Sequence, residues 1–216
     1  MKNYFGGREE KLVRYLDRVF QPEDAVLKET RERSLREKLP EIQLGSMDAL
    51  HLEVLTRAVG ARKAVEIGTL GGYSGTAIAR GLAPGGRLHT FELEPRHAEV
   101  ARESFRRAGL LDRVTIHIGR AMERLADVVN EAPFDLVFID ADKESYPAYL
   151  AWAARQLRVG GVVLGDNSFA FGEIVDGRGA EAVAMREFNQ ELAQGGRFRA
   201  TLLPTGEGLT LGVKIK

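Results

Sequence analysis

Short apolar runs recur along this chain, and each gives way at once to glycines or acids. Ala64-Val65 leads into Glu66-Ile67-Gly68-Thr69-Leu70-Gly71-Gly72-Tyr73-Ser74, and Leu88 to Phe91 leads into Glu92. Leu136 to Ile139 precedes Asp140-Ala141-Asp142-Lys143, and Val162 to Leu164 precedes Gly165-Asp166-Asn167-Ser168. Runs this short, bounded by turn-forming residues, read as buried strands. In an open parallel sheet, ligands bind in the crevice beyond the carboxyl ends of the strands. The four polar clusters are therefore expected to face one crevice.

The intervening segments carry helical signals. Helices are expected from about Asp48 to Val59, Tyr73 to Gly81, Pro95 to Ala108, Met122 to Val129, Tyr146 to Leu157 and Gly179 to Ala193. Strand-and-helix units in such succession argue for a doubly wound sheet. The tail breaks the rhythm, because strands Phe198–Leu203 and Leu209–Ile215 are separated only by Pro204-Thr205-Gly206-Glu207-Gly208. That gap allows a hairpin but no helical crossover, so these two strands should be antiparallel. The expected fold is α/β: a doubly wound, mostly parallel seven-stranded sheet with an antiparallel C-terminal hairpin.

The 216 residues suit one domain over 1–216, with residues 1–40 as an N-terminal helical extension. Leu12, Leu16, Val19 and Phe20 recur at helical spacing among charges of both signs, and Pro22 suits the first position of a second helix. The charges read as solvated faces, while the apolar stripe fits either a lid or a dimer contact; a homodimer is expected. With 31 basic and 31 acidic residues there is no net charge, which speaks against a nucleic-acid partner. The absence of cysteine removes disulfides, thiolate metal sites and cysteine nucleophiles. No signal peptide or membrane-length apolar run is seen, so a cytoplasmic protein without a membrane partner is expected.

The glycine-rich stretch is informative for what it lacks. A dinucleotide fingerprint needs glycine at its first, third and sixth positions, but counting from Gly68 these hold Gly68, Leu70 and Tyr73. Alone, the stretch is equally a tight strand-to-helix turn. Glu92 ends the next strand, about where an acid would accept hydrogen bonds from ribose hydroxyls. An adenosine-containing cofactor without a pyrophosphate satisfies both observations, and S-adenosylmethionine is the expected one.

Three motifs then combine: Glu66-Ile67-Gly68-x-x-x-Gly72-Tyr73-Ser74, Phe138-Ile139-Asp140-Ala141-Asp142-Lys143 with Tyr146, and Asp166-Asn167. Together they resemble the cation-dependent O-methyltransferases, which include catechol and caffeoyl-CoA O-methyltransferases and bacterial relatives. Leu202-Leu203-Pro204-x-Gly206-x-Gly208-Leu209-Thr210 is similar to the bacterial branch, and the likeness runs from about residue 40 to the C-terminus. The resemblance implies a Rossmann-like class I methyltransferase fold. It implies that Asp140, Asp166 and Asn167 hold a divalent cation, and that Lys143 is the catalytic base. It also implies that Glu66, Gly68, Ser74, Glu92 and Ala121 line the S-adenosylmethionine pocket. Asp142 matches a cofactor contact of the plant members.

Two carboxylates and an amide oxygen suit a hard cation, Mg²⁺ foremost and Mn²⁺ or Ca²⁺ as alternatives. Taken singly, Asp166-Asn167 could be turn chemistry and Asp140 a helix cap. Lys143 could be a solvated lysine, although a nearby divalent cation favours the neutral amine that a base requires. The histidines, at 51, 89, 97 and 117, fall outside these motifs and receive no role, and Trp152 reads as packing. After the metal pair, Ser168-Phe169-Ala170-Phe171-Gly172 departs from the family pattern, which usually carries a tryptophan here. That departure speaks against a caffeoyl-CoA acceptor and for a small aromatic diol. The expected activity is methylation of one hydroxyl of a catechol-type diol. The alternatives are an RNA or protein methyltransferase and a catalytically silent cofactor-binding module.

Overall fold

The computed structural model describes residues 10–216; residues 1–9, the first part of the expected N-terminal extension over 1–40, lie outside the described residues. Fifteen elements follow in order: α1 (Glu10–Phe20), α2 (Ala25–Arg36), α3 (Ser46–Ala58), β1 (Lys63–Ile67), α4 (Tyr73–Gly81), β2 (Arg87–Glu92), α5 (Pro95–Arg107), β3 (Val114–Ile118), α6 (Ala121–Arg124), β4 (Phe134–Ile139), α7 (Tyr146–Gln156), β5 (Leu157–Gly165), α8 (Ala180–Gln194), β6 (Phe198–Leu203) and β7 (Leu209–Lys214). The sheet has seven strands in the order β3-β2-β1-β4-β5-β7-β6. β1 to β5 run parallel, and β7 lies antiparallel between β5 and β6. The fold class is the one the alternation implied.

Successive side chains of a strand point to opposite faces, and both faces here are covered. Val65, Ile67, Phe91, Val137, Ile139 and Val163 pack with α7 and α8. Ala64, Leu88, Leu136, Phe138 and Leu164 pack with α3, α4 and α5 on the other face. Continuous apolar runs are what a doubly covered parallel sheet requires. The strand order reverses between β1 and β4, which places the crevice beyond their carboxyl ends.

Three local expectations change. Pro22 precedes the second helix instead of opening it, because the Asp24 carboxylate caps that helix by accepting from Val26 N at 3.1 Å and Leu27 N at 3.0 Å. The helix expected over 122–129 is a single α-turn, α6, followed by 3₁₀ geometry from Leu125 to Glu131. β5 begins at Leu157, where the expected helix was to end. Its pairing with β4 jumps from Leu157–Phe134 to Val162–Leu136, so the intervening residues bulge out of register. In α1, Val13 and Leu16 pack against Met47 and Leu50 of α3. Leu12 (38%), Val19 (49%) and Phe20 (55%) stay exposed.

Candidate active site

β1 gives way to Gly68, whose φ of +101° belongs to glycine. A Cβ there would lie 2.0 Å from the backbone oxygen of Asp140, at the end of the adjacent β4. The loop continues through Leu70, also at positive φ (48°), to Gly72 (φ 85°), which caps α4. Glu92 holds this unusual backbone. One of its carboxylate oxygens accepts from Leu70 N at 2.7 Å and Thr69 N at 3.2 Å, and the other accepts from Glu94 N at 3.0 Å. His97 Nδ1 stands 3.3 Å from that second oxygen, so this histidine does adjoin a motif residue, contrary to the sequence reading. A helix i+5 neighbour of Glu92 is invisible as a pattern until the chain turns from β2 into α5.

Glu66 lies under the loop, fully buried. Ser74 Oγ donates to one oxygen at 2.6 Å and Thr90 Oγ1 to the other at 2.6 Å. Thr90 Oγ1 is itself 2.5 Å from Thr69 Oγ1, so hydroxyls connect the buried carboxyl to the loop. Burial is the largest influence and pushes Glu66 up from an ordinary 4.5 to about 8, against the two hydrogen bonds. Glu66 is therefore protonated at neutral pH. Ala121 opens α6 beyond β3, where Gly119 N donates to the Glu92 carbonyl at 2.9 Å.

Across the β1–β4 seam, Asp140 follows β4 and Asp166 follows β5. Lys143 Nζ, on the short turn between β4 and α7, donates to Asp140 Oδ1 at 3.1 Å and to Tyr146 Oη at 2.8 Å. Lys143 is buried, so it is not the solvated surface lysine that most lysines are. Asp166 and Asn167 are buried at the start of the next loop, with Asn167 at φ 56°. Burial first, and then the neighbouring Asp140, hold the Asp166 carboxyl well above its ordinary range. Asp142 is exposed and accepts a 2.8 Å bond from Tyr149 Oη. Ser168 steadies the loop: its Oγ donates to Gly165 O at 3.0 Å and accepts from Thr210 N at 3.1 Å. The structure thus brings Gly68, Glu92, Asp140, Lys143, Asp166 and Asn167 to one end of the sheet, with Glu66 and Ser74 behind the loop.

Two residues gain a place here that the sequence reading did not give them: Tyr146, quoted in a motif without a role, and Asp48, not singled out for any role. Tyr146 Oη lies 3.0 Å from Ile139 O and 3.1 Å from Asp166 O. Burial, with Asp140 next, raises its pKa well above the ordinary value, so it remains a phenol. Asp48, in the first turn of α3, is buried with Oδ1 lacking a hydrogen-bond partner, and its charge adds to the upward push on Asp166. The spacing of Tyr146 from Lys143 was a usable signal for the first; nothing local marked the second.

Among the described residues, no three His, Cys, Asp or Glu side chains form a metal-binding group. The set here is two carboxylates and a carboxamide. Buried Asp166 beside Asp140, with Asn167 next in the chain, is a donor set of hard oxygens that accommodates a hard cation. The residues present fit such an ion.

An acid-braced glycine loop, paired carboxylates and a buried lysine thus meet at the carboxyl ends of a doubly wound sheet, where such folds bind ligands. Residues 18–215 match the O-methyltransferase family model. The chain belongs to that family and is an O-methyltransferase. It is 41% identical over 192 residues to a Mycobacterium tuberculosis protein named catechol O-methyltransferase, covering 88% of this chain and 87% of that one. A Niastella koreensis protein of the same name is 38% identical over 186 residues, covering 84% and 83%. The solved structure of an O-methyltransferase from Bacillus cereus in complex with SAH superposes with a TM-score of 0.88 at 37% identity, covering 94% of this chain and 97% of that one.

Proposed function

We propose that this enzyme moves a methyl group from S-adenosylmethionine to one hydroxyl of a small catechol-type diol, with a divalent cation held by Asp140, Asp166 and Asn167. The observation that carries the reading is the buried Lys143 amine, hydrogen-bonded to Asp140 at the same end of the sheet as the Glu92-braced loop. The relatives' names support the acceptor class, and the SAH-bound relative supports the cofactor.

Glu92, Gly68 and the Ser74–Glu66 pair would form the cofactor pocket with Ala121, and Asp142 would stand at its edge. A bound cation would supply Lewis acidity toward the two adjacent oxygens of the diol. Lys143 takes the acceptor's proton at Nζ, and the freed electron pair on oxygen forms the new bond to the methyl carbon as the carbon–sulfur pair leaves with sulfur. Gly68 and the loop behind it place donor and acceptor side by side, which is where most of the acceleration in such a displacement arises.

The test is methyl transfer from labelled S-adenosylmethionine to a panel of catechols, flavonoids and hydroxycinnamates, with and without EDTA. Chelation should abolish turnover, Mg²⁺ or Mn²⁺ should restore it, and calorimetric cofactor binding should persist throughout. Full turnover in thoroughly chelated enzyme would falsify the cation's role.

A further inference from the structure

Tyr146 has no part in the mechanism above, yet the groups that do the work converge on its hydroxyl. It opens α7, three residues beyond Lys143, and is fully buried. Its oxygen lies 2.8 Å from Lys143 Nζ, 3.0 Å from Ile139 O and 3.1 Å from Asp166 O. The chemistry of the partners sets the direction of every bond. Carbonyls only accept, so the single phenol proton goes to them, and the phenol lone pair must face the lysine. One carbonyl belongs to the last residue of β4, next to Asp140; the other is that of Asp166 itself.

The ring is held as firmly as the hydroxyl. Phe188 of α8 meets it edge-on with centroids 5.2 Å apart. Phe188 reaches that place because position 165 is glycine, where a Cβ would lie 2.6 Å from the Phe188 ring.

To accept a proton, as the proposed function requires of Lys143, an amine must present one lone pair beside two N–H bonds. At Lys143 the two N–H bonds have two partners, Asp140 Oδ1 at 3.1 Å and Tyr146 Oη at 2.8 Å. With both engaged, the lone pair has one remaining direction. We propose that Tyr146 is a positioning residue: its hydroxyl, anchored on the Ile139 and Asp166 carbonyls, aims the Lys143 lone pair at the acceptor hydroxyl. Without it only the bond to Asp140 restrains the amine about its last carbon–nitrogen bond. Tyr146 cannot take the acceptor's proton itself, since its own proton is committed to carbonyls. The inference rests on Lys143 being the proton acceptor of the proposed function.

The experiment is a double-mutant cycle at saturating Mg²⁺ with Tyr146→Phe, Lys143→Met and the pair, reading kcat and calorimetric S-adenosylmethionine affinity. Tyr146→Phe keeps the ring against Phe188 and should lower kcat about tenfold, the scale of lost orientation within a base's roughly 10²–10⁴-fold contribution. Cofactor affinity should stay within about twofold, and in the Lys143→Met background the same change should have almost no effect. Wild-type kcat in Tyr146→Phe overturns the proposal, and so does an equal loss in both backgrounds, which marks general loosening. Wild-type turnover in Lys143→Met instead removes the proton acceptor and the positioning role together. Fluorotyrosine at position 146 retains ring and hydroxyl, so a near-wild-type kcat is expected there, and a loss as large as that of Tyr146→Phe also overturns the role.

Discussion

Replacing Glu66 by glutamine should change how stability depends on pH. The carboxyl is fully buried and shifted from 4.5 to about 8, chiefly by desolvation. Between those values the unfolded chain carries an ionised Glu66 while the folded chain keeps it protonated, so folding takes up a proton. The stability Glu66 contributes is then complete below pH 4.5 and is lost progressively as pH rises through about 8. At roughly 1.4 kcal/mol per pH unit, the wild type should lose about 3 kcal/mol from this group between about pH 5 and 7.5. Glutamine can hydrogen-bond to both Ser74 and Thr90, but it does not titrate. Urea unfolding of both proteins without cofactor, at several pH values from 5 to 9, isolates the effect, because all other titrations cancel in the difference. The stability of Glu66→Gln relative to wild type should climb by about 3 kcal/mol over that interval and flatten above about pH 8. A difference independent of pH would mean that the buried carboxyl is ionised throughout.

Glu92→Ala should weaken S-adenosylmethionine binding by about 1–3 kcal/mol, since it removes the acceptor that braces Thr69 N and Leu70 N as well as the proposed ribose contact; unchanged calorimetric affinity refutes this. The exposed Leu12, Val19 and Phe20 of α1 motivate a homodimer with that helix in the contact. Light scattering should give twice the chain mass for the wild type and less for Val19→Glu with Phe20→Glu, and a wild-type monomer ends the proposal.

Much of this was legible in the chain because parallel strands buried on both faces must be apolar, and ligand groups must sit where those strands end. β2 and β4 enclose their apolar runs and extend no more than two residues beyond them. β5 was read too short because Arg158–Gly161, which bulge, carry arginine and two glycines instead of the apolar residues that mark a strand. α6 was read too long because the apolar spacing of Met122, Leu125 and Val129 suits an α-helix and a 3₁₀ turn nearly alike. Within the site, the acids and the glycines announced themselves by residue type. The roles of Tyr146, His97 and Asp48 come from contacts made only when strand ends and helix starts are brought together, and no periodicity encodes those.

The missing Cβ at Gly68 has a consequence for how this enzyme can vary. Gly68 approaches the Asp140 carbonyl main chain to main chain, so under the proposed function the gap between methyl donor and methyl acceptor is a property of the sheet. Side chains around the crevice can be exchanged to admit other acceptors while that gap stays constant. The loop after Asn167, with Phe171 exposed, can then diverge in sequence without disturbing the distance over which the reaction takes place.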